Sequence, residues 1–509
     1  MSLGTTAGVG LVGLAGHVVE VQAQLAYSVP GFTLVGLPDT SLSEARDRVR
    51  AAVLSSGIAW PNRKITVNLS PASLPKGGSA FDVSIAVAVL AGAGEVPADG
   101  LDRVVHLGEL GLDGRLQPVR GVLPAVAAAV AAGFRDVVVP TADVEEASLV
   151  PGARVRGATT LAEVLALHGG TPPGVPDVDP VRRPRGTTTD RDLGDLVDLM
   201  GQEVPRVALE VAAAGGHHLL LTGPPGAGKT MLAQRLPGIL PDLTEPEAVE
   251  VTAVHSLAGT FDPAAGLITR PPYEDPHHTA TPASVVGGGS GTPRPGAASR
   301  AHRGVLLLDE APEFQSKVLE TLRQPLEQGQ LVIHRAHGAA RFPARFQLVM
   351  TANPCPCGMG SGKGLDCTCT PMARRRYFGR LSGPLLDRVD VQVEVQPVGR
   401  VDFAAAAGEP SADVAVRVAA AREAARARYA GTPWSVNAEA PGSWLRDRLR
   451  PRRGVLADVD RALDEGRLSL RGADRVLRIA WTVADLAGRD APAAGDVAFA
   501  MALRTGRHA

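Results

Sequence analysis

The chain has 509 residues, a formal net charge of −1, four cysteines and 45% hydrophobic residues. At about 150 residues per domain, that length predicts roughly three domains, each able to bury a core. The near-zero charge excludes a histone-like or polybasic footprint, so nucleic acid would have to be met by local patches.

Glycines, threonines and His17 interrupt the segment before Glu20, the first charged residue. It lacks the basic start and continuous apolar core of a signal peptide. The uncharged run Gly121–Phe134 is shorter than the ~18 residues a membrane span needs, so a cytoplasmic protein with no membrane partner is expected. Strands are predicted at Val18–Leu25, Phe32–Val35, Ile65–Leu69 and Asp136–Val139. Between them, Ser41-Leu42-Ser43-Glu44 fits a capping box, with Leu42, Ala45, Val49 and Val53 at helical spacing behind it. Residues 1–168 therefore read as one mixed α/β domain. Residues 169–191, with five prolines between 171 and 190, read as a linker. A second α/β unit spans 192–398. Residues 399–509 turn helical, at Asp413–Tyr429 and Gly454–Leu503.

The most informative stretch lies in the second unit. The apolar run His218–Thr222 is followed by Gly223-Pro224-Pro225-Gly226-Ala227-Gly228-Lys229-Thr230 and then by a helical pattern from Met231 to Leu236. Glycines in such a loop let backbone N–H groups converge on phosphate oxygens at a helix start. Lys229 would reach the β- and γ-phosphates of ATP, and Thr230 would give a hydroxyl ligand to Mg²⁺. Lys229 is also one of only five lysines among 52 basic residues; the others are Lys64, Lys76, Lys317 and Lys363. A GC-rich genome produces that skew without a functional reason. A second apolar run, Gly304–Leu308, ends in Asp309-Glu310. Asp309 would hold Mg²⁺ and Glu310 would polarise the attacking water. A third, Phe346–Ala352, ends at Asn353, whose amide can orient that water or touch the γ-phosphate.

Together these parts resemble the AAA+ ATPases, in which the Asn353 position is called sensor 1. The resemblance narrows to the magnesium-chelatase-like branch, and within it to the YifB/ComM family, over nearly the whole chain. It is carried by Asp195–Gly201 with Gln202, Ala214–His218, Pro276-His277-His278-Thr279, Gly287–Ser290, Pro293–Gly296 and Leu308–Phe314. It implies a P-loop AAA+ α/β core with a parallel sheet and a C-terminal helical lid. It also implies an insertion on helix 2 at about 273–300 and a hairpin before sensor 1 at about 329–346, both lining the pore of a ring, likened to a hexamer. In such rings an arginine of the neighbouring subunit stabilises the transferred phosphoryl group. The resemblance assigns that role to Arg388 and the sensor 2 role to Arg471, with Arg475 close behind. Where the family often carries a basic residue before Pro276, this chain has the acidic Tyr273-Glu274-Asp275. His277 and His278 are read as loop hydrogen-bonding groups, with metal ligation as the alternative.

All four cysteines, Cys355, Cys357, Cys367 and Cys369, fall within residues 355–369. Four thiolates satisfy tetrahedral Zn²⁺, so a structural zinc is expected, with redox-active or free thiols as the alternative. Residues 1–168 resemble the ribosomal-S5-like fold shared with the Lon protease domain, through Leu74–Ala80, Gly108–Arg115 and Pro118-Val119. Ser–Lys catalysis needs a lysine that can deprotonate. Leu123 stands at the matching position, and there is no lysine between Lys76 and Lys229. A non-proteolytic module is expected. The family resemblance implies a DNA helicase or branch-migration motor. Arg374-Arg375-Arg376 beside Tyr377 and Phe378, and the arginines 446, 448, 450, 452 and 453, are candidate DNA contacts. The alternative is the motor subunit of a metal-chelatase complex.

Overall fold

The computed structural model describes residues 2–36, 44–72, 79–175, 177–182, 192–289, 293–335, 338–360, 367–399, 408–449 and 454–505. Two sheets organise them. The first has seven strands: β1 (Ser2–Val12), β2 (Ala15–Ala26), β3 (Gly31–Val35), β4 (Lys64–Ser70), β5 (Val104–His106), β6 (Asp136–Pro140) and β7 (Arg154–Ala158), in the order β3-β4-β2-β1-β5-β6-β7. β1 and β2 form a hairpin paired from Ser2↔Leu25 to Val12↔Ala15. β1 has no counterpart in the sequence reading, because its glycines dilute the apolar alternation. Those glycines are there for contact. A Cβ on Gly4 would lie 2.1 Å from the Ala88 carbonyl oxygen, and one on Gly8 would lie 2.9 Å from the Phe81 ring. They let the apolar helix α2 (Asp82–Ala93) lie directly on the strand. Helix α1 (Ala45–Ser55) follows Glu44 and buries Ala45, Val49, Ala52 and Val53, the expected face. Most of the capping box ahead of it, Ser41–Ser43, lies outside the described residues. So do residues 74–78 of the Lon-like loop. The uncharged run forms helix α3 (Val122–Ala131), in which Leu123 is buried.

The second sheet is fully parallel. Its strands are β8 (Leu219–Thr222), β9 (Tyr273–Glu274), β10 (Val305–Leu308), β13 (Gln347–Ala352) and β14 (Val391–Glu394), in the order β9-β10-β13-β8-β14. Between β10 and β13 the chain makes an antiparallel hairpin, β11 (Gln330–Arg335) with β12 (Gly338–Pro343), where Ile333 faces Ala340. Near-continuous apolar strands are what a sheet covered on both faces requires. Helix α4 (Glu203–Gly215) precedes β8, α5 (Lys229–Arg235) follows it, and α6 (Glu245–Ala258) leads toward β9. Tyr273 and Glu274, placed by sequence at the start of the helix-2 insertion, are instead the edge strand of this sheet. Glu274 accepts two hydrogen bonds from Arg300, at 2.8 and 2.7 Å.

The C-terminal helices α7 (Ser411–Arg428), α8 (Leu470–Leu486) and α9 (Ala494–Thr505) share one core with the parallel sheet. Val414, Val418, Val476 and Ile479 pack in the same cluster as Leu209, Leu219 and Val391. The two sheets also meet. Gly13, at the β1–β2 turn, bridges Arg341 of β12, and Leu11 and Leu14 pack against Leu257, Ala340 and Phe342. Among the described residues, no helix is long and apolar enough to cross a membrane.

Candidate nucleotide site

The loop after β8 owes its shape to its glycines. Gly226 and Gly228 have φ of +75° and +89°, and a Cβ on Gly223 would strike the Val395 carbonyl oxygen at 2.2 Å. Only glycine takes these conformations and this approach without cost. Within the arc, Lys229 Nζ donates to the carbonyls of Gly223 and Pro224, each at 2.8 Å, and to Asn353 Oδ1 at 3.0 Å. Burial lowers the Lys229 pKa, against the opposing pull of Asp309 and Glu310. Pro225 sits on the far side of the loop against Gly358, where a Cβ would meet its ring at 2.5 Å.

Thr230 Oγ1 donates to Asp309 Oδ1 at 2.9 Å, and Thr351 Oγ1 donates to the same oxygen at 2.6 Å. A carboxylate flanked by two hydroxyls is a hard-oxygen set of the kind Mg²⁺ takes beside phosphate oxygens. Ala227, between the two positive-φ glycines, is buried. Glu310 is exposed and left-handed, with φ +53°, and its N–H donates to Thr351 Oγ1 at 2.8 Å. Holding a non-glycine residue there costs about 1–3 kcal/mol. The turn directs Glu310 out of the sheet beside Asp309, which continues β10. Thr351 is the residue the sequence reading missed. Within the apolar run Phe346–Ala352 it reads as a strand former, and only its position two residues before Asn353 hinted at more. Gln202, named by sequence only as part of the family resemblance, also braces the loop, with Nε2 donating to Ala227 O at 3.2 Å and Gln396 O at 2.6 Å.

Lys229, Thr230, Asp309, Glu310 and Asn353 thus lie together at the carboxyl ends of β8, β10 and β13. Arg388 and Arg471 do not join them. Arg388 precedes β14, at the opposite, amino-terminal edge of the sheet, and pairs there with Glu327. Burial lowers its pKa, and the positive charges of Arg323, Arg475 and Arg471 lower it further. Arg475 is committed to structure, pairing with Asp390 and donating to the Arg388 carbonyl at 3.1 Å. Burial alone would raise the Asp390 carboxyl pKa, yet Arg475 and His217 hold it far below the usual carboxylate range. His217 Nε2 lies 2.8 Å from Thr482 Oγ1 of α8, and His218 Nδ1 accepts from Leu348 N at 3.0 Å. The His217-His218 pair therefore pins sheet to lid.

The four Sγ atoms of Cys355, Cys357, Cys367 and Cys369 all lie within 4.8 Å of one another. Three of their separations are 3.3, 3.6 and 3.6 Å. A tetrahedron of Zn–S bonds near 2.3 Å has edges of about 3.8 Å, so these thiols fit that ion, and they are too far apart for a disulfide. Burial pushes the Cys355 thiol up to about 11, while the Met359 backbone and Cys355 bring Cys357 down to about 6. The cluster begins two residues after Asn353. Gly362 and Gly364 of its loop lie outside the described residues. His277 Nδ1 contacts Thr279 Oγ1 at 2.8 Å, a hydrogen bond within its own loop. Among the described residues, the four cysteines are the one cluster of three or more His, Cys, Asp or Glu side chains close enough to share an ion.

Other expectations shift. Tyr377 is buried and Phe378 packs against the sheet cluster, so neither ring is presented for base stacking. Arg375 and Arg376 beside them are exposed. Arg446 pairs with Asp474, and Arg448 lies 3.9 Å from the Trp444 ring centre. Arg450, Arg452 and Arg453 lie outside the described residues. In the first sheet, Ser79 Oγ donates to Glu109, and the Leu123 N–H donates to Glu146 Oε1 at 2.9 Å. The position matching the Lon lysine is thus a core leucine.

A parallel sheet ordered with the P-loop strand beside the sensor strand, and with a helical lid sharing its core, is the architecture of the AAA+ class of P-loop ATPases. The comparisons with known proteins place the chain more finely. Residues 195–403 match the family model described as magnesium chelatase, subunit ChlI; residues 19–143 match subunit ChlI of Mg-chelatase; and residues 408–504 match the ChlI C-terminal model. An uncharacterized protein of Mycobacterium tuberculosis is 51% identical over 505 residues, covering 99% of both chains. Competence protein ComM of Haemophilus influenzae is 40% identical over 484 residues, 94% of this chain and 92% of ComM. YifB of Escherichia coli is 39% identical over 472 residues, 92% of this chain and 90% of YifB. The chain belongs to the YifB/ComM family of magnesium-chelatase-like AAA+ proteins.

Proposed function

We propose that the protein hydrolyses ATP and couples the cycle to remodelling of DNA, as a helicase or branch-migration motor working as a head-to-tail ring. The observation that carries the hydrolytic part is the convergence of Lys229, Asn353, Thr230 and Asp309 within hydrogen-bond reach, with Glu310 turned out beside them. Lys229 and the loop amides from Gly223 to Gly228 bind the phosphates. Thr230 and Asp309 are the residues that would hold Mg²⁺, which neutralises charge on the phosphate oxygens when bound. Glu310 accepts the proton of the attacking water, and Asn353, already hydrogen-bonded to Lys229, orients it.

Arg388 supports the ring. It sits at the far edge of the sheet from its own P-loop, so it reaches a phosphate only on a neighbouring chain, in which it stabilises developing charge. Arg471, on the same edge, contributes from the same side. The first sheet is an assembly or DNA-contacting module, the cysteine cluster holds a structural zinc, and the cell compartment is the cytoplasm. DNA as the substrate rests on the name competence protein carried by one relative and on the exposed Arg375 and Arg376, which suit phosphates. The family models named for magnesium chelatase favour a second reading, a motor subunit for metal insertion that works with a partner subunit.

ATPase assays with and without forked DNA separate the two. The DNA reading expects hydrolysis to rise at least severalfold on forked DNA and the rise to fade with salt. Hydrolysis indifferent to DNA, with no salt-dependent binding, contradicts it.

A further inference from the structure

At the edge of the parallel sheet opposite the P-loop lies a cavity of about 570 Å³, between the sheet and the lid. Its floor is made where strands begin: His218 before β8, Gly304 before β10 and Phe346 before β13. The C-terminal region closes it with Arg422 and Arg426 of α7, Trp434 and Arg478 of α8. That volume is typical of sites for small organic ligands.

The cations of this cavity are unequally matched. Arg303 faces Glu247 at 3.3 Å, and Arg345 faces Glu439 at 3.8 Å. Glu247 is further tied to Thr244, Glu439 to the Ser435 backbone and hydroxyl, and Glu327 to Arg388. Asp242 is exposed at the rim. Arg422 and Arg478, both partly buried, have only carbonyl oxygens as hydrogen-bond partners among the described residues: Ala213 O at 2.9 and 2.7 Å, and Ala440 O at 2.8 Å. Among the described residues Arg426 has one ion pair, with Glu423 at 3.5 Å on its own helix, and its charge also acts on Glu247. Burial brings the Arg422 pKa down to about 10 against the pull of Glu247 and Glu439, and burial lowers that of Arg478 against the pull of Asp390 and Asp474. Partly buried cations with no carboxylate bonded to them are costly, and an anion in the cavity offsets that cost. Guanidinium forks fit phosphate oxygens, and Trp434, packed edge-on against Tyr429 and Trp444, adds an aromatic side chain to the lining.

We propose that this cavity is a second nucleotide site, binding a phosphorylated nucleoside, free or at the end of a nucleic-acid strand, through Arg422, Arg426 and Arg478 beside Trp434. The site is separate from the P-loop and does not depend on the ATPase reading. Its test starts from the full-length Lys229→Ala chain, in which P-loop binding is removed, titrated with mant-labelled ADP. About one equivalent of probe binds that chain, against two for the wild type. Adding Arg422→Gln with Arg478→Gln weakens the remaining site at least tenfold, the loss expected for charge-assisted hydrogen bonds. Arg426→Glu, on the rim and harmless to the core, weakens it similarly and serves if the double change unfolds the lid. Competition by 5′-phosphorylated pentathymidylate assigns the site to a strand end, and its failure to compete assigns it to a free nucleotide. No binding to Lys229→Ala, or binding that neither arginine change weakens, overturns the proposal.

Discussion

At the scale of single residues, the site depends on positions where chemistry and backbone constrain each other. Glu310 occupies a left-handed conformation that a carboxylate side chain does not need, and Thr351 holds it there through the Glu310 N–H while also bonding Asp309. If Glu310 is the base, Glu310→Gln preserves size and turn, so ATP binding stays within about twofold while turnover falls 100-fold or more. Equilibrium binding of a labelled ATP alongside steady-state hydrolysis checks both halves. Undiminished turnover refutes the assignment. Asp309 and Asn353 were legible because each ends an apolar run, and Lys229 and Thr230 because they close a glycine-rich loop between an apolar run and a helix start. The roles of Thr351 and Gln202 were not, since their work is with partners 42 and 25 residues away.

At the scale of elements, legibility followed side-chain pattern. The strands carrying Asp309 and Asn353 and helix α1 show their apolar pattern in sequence, whereas the hairpin β11–β12 was expected only from the family resemblance. β1 does not, because contact with α2 asks for glycines at Gly4 and Gly8 rather than for apolar side chains. β9 was missed because two residues are too few to show a period, so Tyr273 and Glu274 were absorbed into the insertion. The cysteine loop was legible as chemistry, and the structure adds its neighbour, Pro225 of the P-loop, against Gly358. Protein purified without chelator is expected to carry about one zinc per chain, the stoichiometry of a closed four-thiolate site. Cys367→Ser then loses the metal and lowers Tm by several degrees, read by elemental analysis and calorimetry. Metal-free protein with four titratable thiols and an unchanged Tm in Cys367→Ser excludes a structural zinc.

At the scale of the whole molecule, the Pro-rich segment and the shift to Ala/Arg-rich helices marked out three regions in sequence. How those regions touch was not legible, because it rests on scattered residues: Gly13 on Arg341, Glu146 with Ser256, and Arg475 with Asp390. These contacts tie the first sheet to the hairpin, and the lid to the edge carrying Arg388. In a head-to-tail ring, that edge meets the next chain's P-loop, so every site is built from two chains. The central claim is therefore testable by mixing Lys229→Ala chains with Arg388→Ala chains and measuring ATP hydrolysis. Each variant alone should be inactive. The mixture should recover about a quarter of wild-type turnover per chain, the share of interfaces that pair an intact P-loop with an intact arginine. A mixture no more active than its two parents, or an Arg388→Ala chain that hydrolyses ATP normally by itself, would contradict the shared site.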